Sequence, residues 1–310
     1  MKQYLWVETD RPETVQDCIL PESLKKRFQQ YVDDKNIPNL LMVGHSGIGK
    51  TSVAVSMCKE LGCDYIIING SMKGNIDTLR TDIQNFASSI SFTGGRKYVI
   101  LDEADYLNPN STQPALRNFM EEFSKNCGFI LTCNYKNRII KELHSRCSVI
   151  DFAIENEEKP RIAAQFFKKA TSILKRENVA FDPRVVAEVI NKYFPDFRRV
   201  LNELQAYSGT GQIDTGILKN LSDENVTVVI ELIKKKDFYG IRKWVHENIA
   251  NDQVTILRAI YDHVEKAKPQ YVPMLVILIG KYQYQAAFAV DPEVNLMAFF
   301  AEVLVEGIFE

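Results

Sequence analysis

The chain lacks any C-x-x-C pair, and its six cysteines (18, 58, 63, 127, 133 and 147) follow no regular spacing. That excludes a zinc ribbon and a disulfide-framed scaffold, and several of these thiols lie inside apolar runs, as buried cysteines do. A reduced, cytoplasmic protein without a structural zinc is the expectation. Long hydrophobic runs are also missing. The longest, Pro273 to Ile279, falls far short of the ~20 residues that span a bilayer, and the opening Met1 to Asp10 has no signal-peptide core. No membrane association is expected. Nor does charge of one sign dominate. Lys and Arg total 38 against 40 Asp and Glu, a net charge of −2, so any surface for a polyanion must be local. Internal repeats and low-complexity tracts are absent as well.

What is there begins with size. At 310 residues and 45% hydrophobic content, the chain can bury a large core and divide into two or three units. Its most informative stretch is Gly44-His-Ser-Gly-Ile-Gly-Lys-Thr51, which fits G-x-x-x-x-G-K-[ST]. The apolar run Leu40 to Val43 precedes it and a helix-like run from Ser52 to Leu61 follows, the strand–loop–helix setting that the motif needs. Gly47 and Gly49 allow the backbone to turn successive amides inward around an anion. The helix start, through Ile48 and Ser52, adds its positive dipole end. Lys50 is placed to reach terminal phosphates, and the Thr51 hydroxyl to sit on Mg²⁺. A nucleoside triphosphate is the expected ligand.

A second feature stands at Lys97-Tyr-Val-Ile-Leu-Asp-Glu-Ala-Asp105. Tyr98 to Leu101 read as a buried parallel strand ending in acids. Asp102 is the candidate metal ligand beside Thr51, and Glu103 the candidate to polarise an attacking water. Alone, such a pair equally fits a solvated loop. Beside a phosphate loop it indicates hydrolysis. A third apolar run, Gly128 to Thr132, ends at Cys133-Asn134. By itself Asn134 reads first as a turn residue, although an amide at that strand tip could also orient a water. Arg146, in His144-Ser-Arg-Cys147, reads on its own as solvated surface.

Strand-like runs at 40–43, 65–68, 98–101, 129–132 and 149–152 alternate with helical ones, which predicts an α/β domain with a parallel sheet covered on both faces. Past Asn156 the strand pattern stops, and apolar residues recur at three- and four-residue spacing to the end. The expected division is an ATPase-type domain over 1–152, a helical domain over 153–221, and a second helical domain over 222–310. The final helices are apolar enough either to need a partner surface or to close on their own core.

With these residues in place, the chain resembles the AAA+ ATPases of the sliding-clamp loaders. It looks most like the large ATPase subunit of the T4-type bacteriophage branch and is also similar to replication factor C small subunits. The resemblance covers essentially the whole chain. It rests on Arg11-Pro12 with Asp17 to Leu20, the phosphate loop, Asp102 to Asp105, Gln113 to Glu121, Ser145-Arg-Cys147 and Phe194-Pro-Asp-Phe-Arg198. It implies a P-loop AAA+ domain, a helical lid and a helical collar. Carried over residue by residue, Arg146 becomes a finger reaching a neighbouring subunit's ATP, a role that can contribute on the order of 10³-fold in rate. Arg198 becomes the lid's sensor, and Asn134 the residue that orients water. Val7, Glu8, Thr9, Asp10 and Ile19 become the adenine-side clamp, which favours ATP over GTP.

The same resemblance implies a hetero-pentamer of several copies of this chain with a clamp-loader small subunit, held by the collar. Its implied partners are a sliding clamp and primer–template DNA, and for a phage protein its place is the bacterial cytoplasm. Lys73 and Arg80 are the implied DNA-contact candidates, and Gln113 and Arg117 belong to a helix coupling DNA to the ATP site. Three departures stand out. His45-Ser46 replaces prolines common in relatives, Pro195-Asp196 replaces Gly-Asp, and Val7-Glu-Thr-Asp10 replaces a more basic stretch. Competing readings are another AAA+ motor, such as a helicase loader or branch-migration ATPase, a small-molecule kinase, and an inactive scaffold subunit. Ser145-Arg-Cys147, about 150 helical residues after the ATPase-type domain, and intact Lys50, Glu103 and Arg146 weigh against these in turn.

Overall fold

The computed structural model of the chain describes residues 5–71, 76–91, 95–209, 211–214, 217, 223–248, 253–289 and 291–309. They form two compact units, Met1–Thr215 and Gly216–Glu310.

The first unit opens with α1 (Trp6–Thr9) and α2 (Glu22–Asp33). Strands and helices then alternate: β1 (Leu40–Val43), α3 (Lys50–Leu61), β2 (Tyr65–Asn69), α4 (Ile76–Ser88), β3 (Lys97–Asp102), α5 (Thr112–Glu122), β4 (Cys127–Cys133), α6 (Lys141–His144) and β5 (Ser148–Asp151). The five strands pair in parallel in the order β2-β3-β4-β1-β5. Each strand is short and rich in bulky apolar residues, and successive side chains point to opposite faces. Leu41, Val99, Leu101, Phe129 and Leu131 therefore pack on one side with Ile83, Leu116 and Phe119 of α4 and α5. Leu40, Met42, Tyr98, Ile100 and Ile130 pack on the other with Phe28 of α2 and Val53 and Met57 of α3. The expectation of a parallel sheet covered on both faces holds. β1 and β3 both pair with β4, so the carboxyl ends of the three strands open side by side, where ligands of such sheets bind.

Three helices complete the unit: α7 (Lys159–Arg176), α8 (Pro183–Tyr193) and α9 (Phe197–Ser208). Ile162, Phe166 and Ile173 recur at helical spacing and are buried, as are Val186 and Ile190 of α8 and Leu204 of α9. Asp182 and Asp196 cap α8 and α9, accepting from the amides of Arg184 and Arg199 at 2.8 and 3.0 Å. Such caps contribute about 1 kcal/mol each. One correction belongs here. Strands do not stop at Asn156, because β6 (Ala180–Phe181) and β7 (Gln212–Ile213) form a parallel pair. Two residues per strand are too few to leave an alternating pattern in the sequence.

The second unit is wholly helical among the described residues. Its helices are α10 (Asp223–Lys234), α11 (Phe238–Asn248), α12 (Gln253–Asp262), α13 (Val272–Ala286) and α14 (Pro292–Glu306). They close around Trp244, Leu275, Phe299 and Phe300, with the Trp244 and Phe300 rings edge to face at 6.0 Å. A self-contained core is therefore present, while Tyr239, Ile277, Tyr284, Phe288 and Val305 remain largely exposed.

Truncating a fully buried phenylalanine costs about 3–5 kcal/mol. Phe129→Ala is expected to lower the unfolding midpoint of the first unit, and Phe300→Ala that of the second, as followed by urea titration with circular dichroism. An unchanged midpoint in either variant contradicts the packing described.

Candidate nucleotide site

The loop between β1 and α3 is shaped by glycine. Gly47 and Gly49 lie at φ +75° and +94°, in the left-handed region that side chains disfavour. Gly47 also has no room, since an added Cβ would stand 1.8 Å from Asp196 Oδ1. The lid reaches the loop here: the Phe197 amide donates to the Gly47 carbonyl at 3.2 Å. Gly49 precedes α3, so the first amides of that helix are free of intrahelical partners.

Lys50 is buried, 7% exposed. Its Nζ donates to the carbonyls of Gly44 and His45, both at 2.7 Å, and to Asn134 Oδ1 at 3.0 Å. Burial lowers its pKa from the usual lysine value, and the nearby Asp102 acts in the opposite direction. Asp102 Oδ1 accepts from the hydroxyls of Thr51 and Thr132, each at 2.6 Å. Thr132 Oγ in turn accepts from the Glu103 amide at 3.2 Å, and Glu103 turns at φ +55°. Asp105, also buried, accepts through Oδ2 from the amides of Asn134 and Tyr135, both at 3.2 Å. The tips of β1, β3 and β4 are thereby joined in one hydrogen-bonded set.

Lys50, Thr51, Ser52, Asp102, Glu103 and Asn134 all line one cleft with Gly47 and Gly49. Its far wall comes from the N-terminal segment, where Val7, Asp10 and Ile19 stand with Arg11, Pro12 and Cys18. The roof comes from the lid: Phe166, Lys169, Phe197, Arg198 and Leu201. Phe166 and Phe197 stack at 4.4 Å between ring centres, holding α7 to the start of α9. Asp10 is gripped by Arg176 of α7 through two hydrogen bonds of 2.8 and 2.6 Å.

Three expected residues are not part of the lining. Glu8 pairs with Arg11 at 2.8 Å, Thr9 Oγ donates to the Leu5 carbonyl at 3.1 Å, and Ile48 is buried in the core. In the short helix α1, adjacent residues face different ways, so the stretch from Val7 to Asp10 cannot present every side chain to one ligand. Arg146 lies outside the cleft and is held by Glu121. Arg80 and Arg117 are exposed, and Lys73 lies outside the described residues. Gln113 is fully buried. It donates to the carbonyls of Leu107 and Arg138, at 3.0 and 2.9 Å, and accepts from the Ile140 amide at 2.8 Å.

The residues missed in the sequence are Thr132 and Lys169. Thr132 is a lone hydroxyl inside an apolar strand, a signal that was readable. Lys169 is one of many lysines on an amphipathic helix, and only the fold directs it to the cleft. As for a metal, Thr51 and Asp102 supply hard oxygen donors, and no cluster of three or more His, Cys, Asp or Glu occurs among the described residues. A sparse oxygen set fits Mg²⁺, which is usually held by one or two carboxylates together with phosphates and water.

Family models match the chain in two places: the ATPase family associated with various cellular activities over residues 40–155, and the AAA+ ATPase lid domain of the sliding-clamp-loader large subunit over 158–219. The sliding-clamp-loader large subunit of Enterobacteria phage T4 is 33% identical over 310 residues, covering 98% of this chain and 97% of that one. The chain belongs to that family. The corresponding subunit of Escherichia phage RB69 is 37% identical, covering 78% of this chain and 77% of its own. A replication factor C small subunit of Halobacterium salinarum is 34% identical across 99% of this clamp-loader chain and 98% of the relative. Among solved structures, a Thermotoga maritima RuvB variant superposes with a TM-score of 0.54 at 14% identity, covering 96% and 91% of the two chains. At that identity the likeness concerns the fold alone.

Lys169→Met removes a roof cation and is expected to weaken nucleotide binding about tenfold, near 1.4 kcal/mol, with Lys169→Arg restoring most of it. Titration with a fluorescent ATP analogue measures this, and equal affinity in the Met variant removes Lys169 from the site.

Proposed function

We propose that this ATP hydrolase drives a sliding-clamp loader. The full-length similarity to clamp-loader large subunits carries the reading, and the assembled cleft supports it. The nucleotide is ATP. Its phosphates are cradled by the amides of the loop from Gly47 to Ser52 and neutralised by Lys50, with Arg198 closing from the lid. Mg²⁺, held by Thr51 and Asp102, would supply charge neutralisation at the phosphates. Thr132 fixes the carboxylate of Asp102 and braces the Glu103 amide. Glu103 then accepts the proton of the attacking water, and Asn134 orients that water from the tip of β4.

Arg146 is the finger for a neighbouring subunit's ATP, a role supported by its place outside its own cleft. Hydrolysis then depends on assembly. The partners are other copies of this chain and a small subunit in a hetero-pentamer, a sliding clamp, and primer–template DNA, in the cytoplasm of a bacterial host. ATP binding would let the assembly open the clamp and grip primed DNA, and hydrolysis triggered by that DNA would release the loaded clamp. Arg80 is a candidate phosphate contact. Gln113, with Arg117 on the same helix, would couple bound DNA to the catalytic loops through its three backbone hydrogen bonds. The division into an ATPase domain (1–152), a lid (153–221) and a collar (222–310) accords with this reading.

Glu103→Gln is expected to keep ATP binding and to lower turnover by at least ~100-fold. The check is phosphate release by the chain co-assembled with its small subunit, with and without clamp and primed DNA. Wild-type stimulation that needs both clamp and primed DNA, and its loss in the variant, is the expected result. Turnover indifferent to both additions overturns the loader reading, and retained turnover in the variant removes Glu103 from its role.

A further inference from the structure

Arg146 does not hang free from its turn. Nε donates to Glu121 Oε1 at 2.9 Å, and Nη2 donates to the same oxygen. Nη1 donates to the Glu142 carbonyl at 3.1 Å and, at the longer distance of 3.5 Å, to the Ser145 hydroxyl. A guanidinium carries five N–H groups. The carboxylate therefore takes one side edge, Nη1 serves the Glu142 carbonyl and the more distant Ser145 hydroxyl, and one hydrogen of Nη2 is left without an acceptor. Once the long Ser145 contact is given up, Nη1 and Nη2 present the fork that matches a phosphate oxygen pair. The arginine side chain is still 31% exposed and Glu121 56% exposed, so a group arriving from another molecule can reach the pair.

Glu121 sits in the last turn of α5, the helix whose first turn carries the buried Gln113. One end of α5 is thus tied to the loops beside Asp105 and Asn134, and the other holds the guanidinium. An exposed ion pair contributes little to stability, about 0–1 kcal/mol. Its value here lies in orientation. An unheld arginine samples many rotamers, and each must be given up when it meets a phosphate.

We propose that Glu121 is the positioning residue of the arginine finger, gripping Arg146 side-on so that its outer edge faces the neighbouring subunit's ATP. This rests on the finger reading of Arg146. The carboxylate also makes the finger a rigid extension of α5, so that displacement of this helix moves the guanidinium with it. Glu121 touches no substrate and acts only through Arg146. The guanidinium beside it holds the Glu121 carboxyl below the usual glutamate range, which keeps the grip ionised at neutral pH.

The test is a cycle of Glu121→Ala, Arg146→Ala and the double variant in the co-assembled loader, with assembly checked by gel filtration. Clamp- and DNA-stimulated turnover and the KM for ATP are read for each. Glu121→Ala is expected to lower kcat about tenfold with KM unchanged, and to add nothing in the Arg146→Ala background. Glu121→Gln, which keeps the accepting oxygen, should lie between wild type and Ala. Three outcomes overturn the inference. If Arg146→Ala leaves turnover intact, the finger reading itself fails. If Arg146→Ala is slow but Glu121→Ala is normal or faster, the finger stands and the positioning role falls. If the two losses multiply, Glu121 acts by another route.

Discussion

The constraint around which the first unit is built is one buried ammonium. Lys50 makes three hydrogen bonds, and every acceptor is a neutral oxygen: two backbone carbonyls and one side-chain amide. Such bonds satisfy the donors without cancelling the charge, and the lowered pKa records the cost of keeping it away from water. Asp102, the nearest acid, directs its Oδ1 to two hydroxyls rather than to the lysine. The site is thus prepared for an anion from outside. A polyphosphate supplies the charge that the protein withholds.

Much of the surrounding architecture exists to hold that charge in place. Strand order sets β1, β4 and β3 side by side, so the lysine, the amide that binds it and the paired acids emerge within reach of one another. Thr132 and Asp105 then lock the tips of β3 and β4 through side-chain-to-backbone bonds. The lid is fastened at several points, among them the Phe197 amide on Gly47, the Arg176 grip on Asp10 and the Arg161 pair with Glu22. Arg198 and Lys169 consequently face the cleft. Arg146 lies outside this cleft, and on the proposed finger reading that separation would make hydrolysis a property of neighbours.

The sequence was most informative where chemistry requires a particular residue at a particular backbone position. Gly47, Gly49, Lys50 and Thr51 were readable because few other residues fit their φ angles and donors, and Asp102-Glu103 because they end a strand whose apolar run is unmistakable. Family resemblance, rather than local pattern, raised Asn134 and Arg146 above ordinary turn and surface residues. Residues whose role depends on the path of a distant helix were hidden. Lys169 and Glu121 are ordinary charges on amphipathic helices until α7 is laid over the cleft and α5 against the turn at Arg146. Within the adenine-side stretch Val7 and Asp10 line the cleft while Glu8 and Thr9 do not, a distinction that a contiguous segment of sequence does not carry. The β6–β7 pair escaped because its strands are shorter than one period of alternation.

The proposal that neighbouring chains share an active site is tested most directly by mixing two inactive chains. Lys50→Ala chains would lack a working phosphate site but keep Arg146; Arg146→Ala chains would keep the phosphate site but lack the finger. Each is co-assembled alone with the small subunit, clamp and primed DNA, and then the two are combined before assembly. The account predicts near-background turnover from either variant alone and recovered turnover from the mixture, since one chain's arginine completes its neighbour's site. A mixture no more active than its components contradicts it.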